Sequence, residues 1–259
     1  MCTTLWLENS GKGQKSSRDS GTILPMNASK NTIKHIAIIM DGNRRWAKKQ
    51  GLGAINGHQH VVDNIIEPLV DRCIELGIKY LTFWAFSTEN WERDKMELEG
   101  MMQLFRHAFE RKVEDLHKKG VRLQILGEID KFPKDIAEQA RRWVEISKNN
   151  TNITASFALN YGGRDEITRA IKKMVQLNPS LVANQVTEQK IQSYLDTTDM
   201  PDPDLIIRPG GQLRLSGFMP WQGVYSELYF TDVLMPEFTV AELDKALADF
   251  TARQRRFGK

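Results

Sequence analysis

Short apolar runs alternate with longer stretches of helical period along almost the whole chain. HIAIIM (35–40), KYLTFWAF (79–86), VRLQILG (121–127), ITASFALN (153–160), DLIIR (204–208) and ELYF (227–230) predict strands. Between them, residues 58–76, 95–119, 134–148, 164–177, 187–195 and 239–254 carry apolar positions at i, i+3, i+4 and i+7 and predict helices. Strands separated by helices imply parallel pairing through right-handed crossovers, with both faces of the sheet covered. The expected fold is α/β: a single domain with an open, mostly parallel six-stranded sheet flanked by helices. A length of 259 residues at 41% hydrophobic composition agrees with one such domain.

The first 34 residues depart from the pattern. They are rich in Ser, Gly, Lys and Asn, with no apolar stretch long enough for a signal peptide or a bilayer span. They read as a disordered extension, which leaves residues 35–259 as the domain. The two cysteines, Cys2 and Cys73, offer neither a disulfide framework nor a CxxC site, which favours a reducing, cytoplasmic compartment. A formal charge of +3 and a pI near 8.8, with both signs interspersed, do not argue for nucleic acid as a partner. Small anionic substrates remain compatible.

In open parallel sheets the ligand site lies outside the carboxyl ends of the strands. Those ends carry polar residues that the fold alone does not require. Asp41, Asn43 and Arg45 follow the first strand; Ser87, Asn90, Trp91 and Arg93 follow the second; Asn160, Gly162, Gly163 and Arg164 follow the fourth; Arg208, Arg214 and Ser216 follow the fifth. Arginines grip phosphate oxygens through bidentate, charge-assisted bonds, and a glycine before a helix lets backbone N–H groups approach an anion. One carboxylate among several arginines suggests Mg²⁺ bridging an acid to a diphosphate. Taken singly, Asp41 could equally cap the helix that starts near Arg44, and His58 could be a satisfied histidine at a helix start. The chain has no Walker A loop, GxGxxG, zinc-spaced His/Cys set or GxSxG elbow, so ATP hydrolysis, hydride transfer and serine hydrolysis lose ground.

HIAIIMDGN with RRWA, the GH pair at 57–58, WAFSTENWER, NYGGR, DPDLIIR with GG, RLSGF, ELYFTD and the terminal RRFG, in this order, resemble the cis-prenyltransferase family typified by undecaprenyl diphosphate synthases. The resemblance spans about residues 34–258. It implies a Z-selective prenyltransferase that condenses isopentenyl diphosphate with an allylic diphosphate, using Mg²⁺, as a homodimer with a hydrophobic tunnel for the growing chain. Membrane contact would come only through the product.

Carried onto this sequence, the resemblance makes Asp41, Asn43, His58 and Asn90 the catalytic group, and Asp41 with Glu227 the metal site. Gly42, Asn43, Arg45 and His58 hold the allylic diphosphate, Arg44, Trp46 and Arg93 are further substrate-binding residues, and Ser87, Asn90 and Trp91 line the reacting centre. Arg208, Arg214 and Ser216 take isopentenyl diphosphate, while Arg256 and Gly258 reach the neighbouring subunit. The apolar stripe of Leu98, Met101, Met102, Leu104, Phe105 and Phe109 reads as core, and the resemblance also turns this helix toward the lipid tail.

The chain departs from the family pattern at Arg44, where Gly is usual, at Ala54, where a basic residue is common, and at Val61, Asp94 and Pro220. Pro209 and Gln212 alter the loop after Arg208, removing an acid beside the isopentenyl site. That change resembles relatives that couple two allylic units in an irregular, lavandulyl-type manner, so this alternative stays open. A non-catalytic partner subunit would have lost the acid that is retained at Asp41. A phosphate-binding module would not need Asn90, Trp91 and Glu227.

Overall fold

Six runs rich in β-branched and aromatic residues form the six strands of one sheet: β1 (His35–Ile39), β2 (Tyr80–Ser87), β3 (Val121–Leu126), β4 (Ile153–Tyr161), β5 (Leu205–Arg208) and β6 (Glu227–Phe230). They come from a computed structural model that describes residues 33–253. Every pairing is parallel, and the order is β3-β4-β2-β1-β5-β6. The expected α/β architecture is the observed one.

β1 is buried along its whole length, and its side chains alternate between two cores. Ile36 and Ile38 enter one core with Leu69, Phe83, Phe105, Ile136 and Phe250, whereas Ala37 and Ile39 enter the other with Tyr161, Ile206 and Phe218. The chain leaves β1 toward β2 on one side and later returns to β5 on the other. The point where the strand order reverses therefore lies at β1, with the carboxyl ends of β1, β2 and β5 around it.

The helices are α1 (Asn43–Lys49), α2 (Ala54–Asn64), α3 (Ile66–Glu75), α4 (Lys95–His107), α5 (Val113–Lys118), α6 (Lys134–Ser147), α7 (Gly163–Leu177), α8 (Glu188–Gln192) and α9 (Val240–Ala252). Two of the expected helices are interrupted. The segment 58–76 breaks between Asn64 and Ile66 because Pro68 has no N–H to give the Asn64 carbonyl and its ring crowds that carbonyl. The segment 95–119 contains one turn of π-helix, Ala108–Lys112, between α4 and α5.

The boundary of the expected extension also shifts. Ile33 is buried in the core, and the Asp204 carboxylate accepts the Lys34 and His35 N–H groups at 2.7 and 3.2 Å, so residues 33 and 34 belong to the fold. The expectation of disorder for residues 1–32 lies outside the described residues.

α2 crosses the start of α1 at backbone distance. A Cβ on Gly57 would stand 2.1 Å from the Asn43 carbonyl oxygen. Gly57→Ala therefore forces the helices apart, and overpacking of this kind costs about 1–3 kcal/mol, more than the gain in helix propensity returns. The expected outcome is a lowered urea midpoint, read by tryptophan fluorescence.

His35 sits fully buried at the start of β1. Its Nδ1 lies 2.7 Å from the Pro201 carbonyl, which can only accept, so Nδ1 carries the proton and Nε2 accepts from the Thr82 hydroxyl at 2.8 Å. Burial lowers its pKa to about 4, against smaller raising effects of the Pro201 carbonyl and Asp204. The unfolded chain takes up a proton below about 6.5 while the folded one resists until about 4. Stability is therefore full above that window and falls as pH drops through it, by about 1.4 kcal/mol per pH unit. Urea midpoints measured between pH 7 and 4 show this loss, and His35→Asn, which keeps a donor but does not titrate, shows a flatter slope.

Candidate active site

The turn that ends β1 is tight. The Asp41 N–H donates to the Ile39 carbonyl at 2.8 Å, and Gly42 follows at φ 105°, a conformation that favours glycine, with Leu234 where a Cβ would stand. The Asp41 carboxylate does not cap α1. One oxygen accepts from Arg208 Nη2 at 2.9 Å and the other from Arg45 Nη2 at 3.2 Å.

Arg208 ends β5 and is only 5% exposed. Its Nη1 donates to the Ser216 hydroxyl at 3.0 Å and to the Arg214 carbonyl. Ser216 also accepts from Arg214 Nε at 3.2 Å, and Arg214 Nη1 donates to the Gln212 side-chain oxygen at 2.6 Å. Gly210, at φ 95°, lets Arg45 come within 2.6 Å of where a Cβ would be, which closes the loop over Asp41. The loop is tied down from below. Gly163 N–H donates to the Gly217 carbonyl at 2.9 Å, and buried Gln222 donates to Glu166, whose carboxyl burial pushes up and Tyr161 also holds.

On the other side of Asp41, Asn43 Nδ2 donates to the Met40 carbonyl at 2.9 Å and to His58 Nδ1 at 3.2 Å. The imidazole proton therefore resides on Nε2. Burial first, then the positive charges of Arg93 and Arg44, lowers the His58 pKa to about 4, so the ring is a neutral donor. Asn43 Oδ1, His58 Nε2 and Arg208 Nε are all buried without a partner among the described residues, and their clustering marks a place built for a polar ligand. Glu97 orients the arginines above them, 2.7 Å from Arg93 and 3.6 Å from Arg44.

These groups line two adjoining clefts. The first, about 310 Å³, is bordered by Asp41, Gly42, Asn43, Arg44, Arg45 and Arg93. The second, about 280 Å³, is bordered by Ser87, Asn90, Arg93, Arg208 and Arg214, with Trp84 and Phe86 at its side. Met40, Asp41, Asn43, His58 and Arg93 belong to both. An apolar cavity lies against Met40 as well. Ser87 and Asn90 are fixed by a reciprocal pair in which Asn90 Oδ1 accepts the Ser87 N–H at 3.1 Å. Trp91 supports this turn without lining a cleft: its ring packs edge-on to Phe86 and Phe132, and its Nε1 donates to Asn160 at 2.8 Å.

Besides Trp91, expected at the reacting centre, two more placements are corrected. Glu227 is not beside Asp41: it opens β6 opposite Leu205, three residues before the level of Arg208, roughly 10 Å along the strand, and its carboxylate is held by Arg253 at 3.0 Å. Trp46 turns away from both clefts and lies against the His60 ring, centroids 4.7 Å apart, holding α1 to α2. Arg256 and Gly258 lie outside the described residues. Asn160, expected at the strand-end site, lines neither cleft and instead holds Trp91, while Glu97, which orients the arginines, was missed. The i,i+4 spacing of Arg93 and Glu97 was the one readable trace.

A family model described as "Putative undecaprenyl diphosphate synthase" matches residues 39–258. The isoprenyl transferase of Clostridium perfringens is 45% identical over 228 residues, 87% of this chain and 89% of that protein. That of Streptococcus pyogenes serotype M6 is 47% identical over 232 residues, 87% and 93% of the two chains. Among solved structures, lavandulyl diphosphate synthase from Lavandula x intermedia, in complex with dimethylallyl diphosphate, matches with a TM-score of 0.85 at 34% identity, over 88% of this chain and 99% of that one. A probable undecaprenyl diphosphate synthase from Campylobacter jejuni matches with a TM-score of 0.73 at 32% identity, over 89% and 100%. With sequence, fold and strand-end chemistry in agreement over nearly nine-tenths of its length, the chain belongs to the undecaprenyl diphosphate synthase family of prenyltransferases.

Proposed function

We propose that the chain condenses isopentenyl diphosphate with an allylic diphosphate, with Z stereochemistry, to form a longer prenyl diphosphate. The observation that carries this reading is the pair of arginine-lined clefts that share Asp41. Two diphosphates held there would have their reacting carbons side by side, with an apolar cavity at hand for a hydrocarbon tail.

The first cleft takes the allylic diphosphate on Arg44, Arg45 and Arg93, with His58 Nε2–H and the start of α1 as further donors. The second takes isopentenyl diphosphate on Arg208, Arg214 and Ser216. A Mg²⁺ ion fits the donor set at the junction, because it takes one or two carboxylates together with diphosphate oxygens, and Asp41 supplies the carboxylate. Bound there, the ion would neutralise charge on the leaving diphosphate. Arginines supply the same neutralisation without a nucleophile as the allylic C–O bond breaks. The isopentenyl double bond forms the new C–C bond, and C2 gives up its proton beside Ser87 and Asn90. His58 has no free lone pair facing the site, because Nδ1 accepts from Asn43 and Nε2 carries the proton, so it serves as donor and a diphosphate oxygen takes the C2 proton.

We further propose a homodimeric protein of the cytoplasm that meets membranes through its product. Among the described residues no helix is long and apolar enough to cross a membrane. β6 stands at the edge of the sheet with Val224 and Tyr225 strongly exposed beside it, a surface suited to a second copy.

Asp41→Asn tests the junction, because the amide oxygen still accepts from Arg208 and buried arginine is not stripped of its partner. Turnover, measured well below the melting transition, is expected to fall about 10²–10³-fold, and the melting temperature to drop as well, because buried Arg208 keeps an acceptor but loses its counter-charge. Near-normal turnover in this variant would remove Asp41 from the chemistry.

Purified protein incubated with Mg²⁺, labelled isopentenyl diphosphate and dimethylallyl, geranyl or farnesyl diphosphate is expected to make label-bearing chains that grow in five-carbon steps, sized by mass spectrometry after dephosphorylation. Lavandulyl-type coupling is the second reading, carried by the likeness to the lavandulyl diphosphate synthase. A branched, unlabelled product from dimethylallyl diphosphate alone would establish it instead.

A further inference from the structure

The apolar cavity below the clefts measures about 80 Å³. Met40 borders it and both clefts. Val62 and Ile66 wall it from α2 and α3, and Ala85, Phe157 and Leu159 from the sheet. A cavity of roughly 150 Å³ admits one benzene molecule, so the resting space holds less than one such ring and a lengthening tail must displace a wall. The sheet wall belongs to hydrogen-bonded central strands and cannot yield. The remaining wall is α4, the π-turn Ala108–Lys112 and α5, which contribute Phe105, Ala108, Phe109, Lys112, Val113 and Leu116. The π-turn is where the regular helical ladder of that wall is already broken.

Among the described residues, Lys112 is the one charged residue on the lining of this cavity. Its ammonium stands 3.4 Å from the Asp63 carboxylate and donates to the Asp63 carbonyl at 3.4 Å. Asp63 is itself held by Gln59 at 2.6 Å and by His107 at 3.0 Å. The opposite side of Lys112 borders an open cleft of about 550 Å³ shared with Asp63, His107, Arg111 and Asp115. Lys112 is thus the partition between the tail cavity and solvent: its alkyl stem faces apolar side chains and its head is tied to an acid on α2.

We propose that Lys112, anchored on Asp63, is the stopper that sets the length of the prenyl product. The inference rests on the prenyl-transfer reading above. A tail advancing from Met40 can pack against the lysine stem. The next five-carbon unit must pull the ammonium from Asp63 or bury it beside hydrocarbon, where an unpaired charge is strongly disfavoured. Elongation stops where that cost first exceeds the gain from burying another unit. Charge, rather than bulk, is what stops the chain.

The two can be separated. Lys112→Met keeps the stem and loses the charge, and Asp63 still has Gln59 and His107 as partners, so the fold is retained. Lys112→Arg keeps the charge, Asp63→Asn removes the anchor, and Lys118→Met alters an exposed lysine of α5 away from the cavity. Each protein is given one allylic primer and excess labelled isopentenyl diphosphate, and the products are sized by mass spectrometry. The major product of Lys112→Met is expected to lengthen by at least one five-carbon unit, and that of Asp63→Asn to move in the same direction. Lys112→Arg and Lys118→Met are expected to match the parent. A Lys112→Met ladder identical to the parent's overturns the stopper, and so does equal lengthening in Lys112→Arg. A parent protein that yields no ladder overturns the prenyl-transfer reading beneath it, an outcome distinct from a ladder of unchanged length.

Discussion

The site depends on one ion pair between two strand ends. Arg208 is buried at the end of β5, and Asp41 follows the end of β1, its neighbour in the sheet. A guanidinium out of water needs a carboxylate and further acceptors, or its burial is prohibitive. Asp41, Ser216 and the Arg214 carbonyl supply them. The pair therefore pulls the loop after β5 over the turn after β1, and Gly210 is the residue that lets the two backbones meet. Once closed, the same contact sets the distance between the two clefts, because Asp41 stands in the wall they share.

The strand order makes that contact possible. β1 lies between β2 and β5, so chain leaving three different strands arrives at one rim. Gly57 then brings α2 against the first residue of α1, which places His58 beside Asn43 and keeps water from both. Desolvation and two nearby guanidiniums hold His58 neutral, and a neutral ring with its proton on Nε2 is a donor pointed at an anion site. Structural and chemical roles of these residues are inseparable, since the packing that buries the imidazole is also what sets its charge.

Much of this was legible in the sequence because strand ends are marked by abrupt changes from apolar to polar residues. Six strands, their parallel pairing and the convergence of Asp41, Ser87, Asn90 and Arg208 follow from that patterning alone. Glu227 shows the limit. An acid at the first residue of a strand lies at the opposite edge from one just past the last residue, and register decides which, so motif membership alone placed it wrongly. Trp46 fails for a related reason: helical position assigns a face only when the neighbouring helix is known, and His60 claims that face. The break at Pro68 was readable from proline chemistry, whereas the π-turn, with no proline or glycine to mark it, was not.

The altered loop after Arg208 bears on substrate choice less directly than its composition suggests. Gln212 still accepts from Arg214, so the geometry survives and what is lost is one negative charge. On the proposed reading, Arg214 faces the diphosphate with only a neutral acceptor behind it. Isopentenyl and dimethylallyl diphosphates carry the same diphosphate, so this change cannot tell them apart. On that reading, their difference, the position of one double bond, falls at the hydrocarbon end of the second cleft, which Trp84, Ala85, Phe86 and Ser87 line. Selection between elongation and irregular coupling, on the proposed reading, falls to the carboxyl end of β2 and the turn that Asn90 fixes there rather than to Pro209 and Gln212.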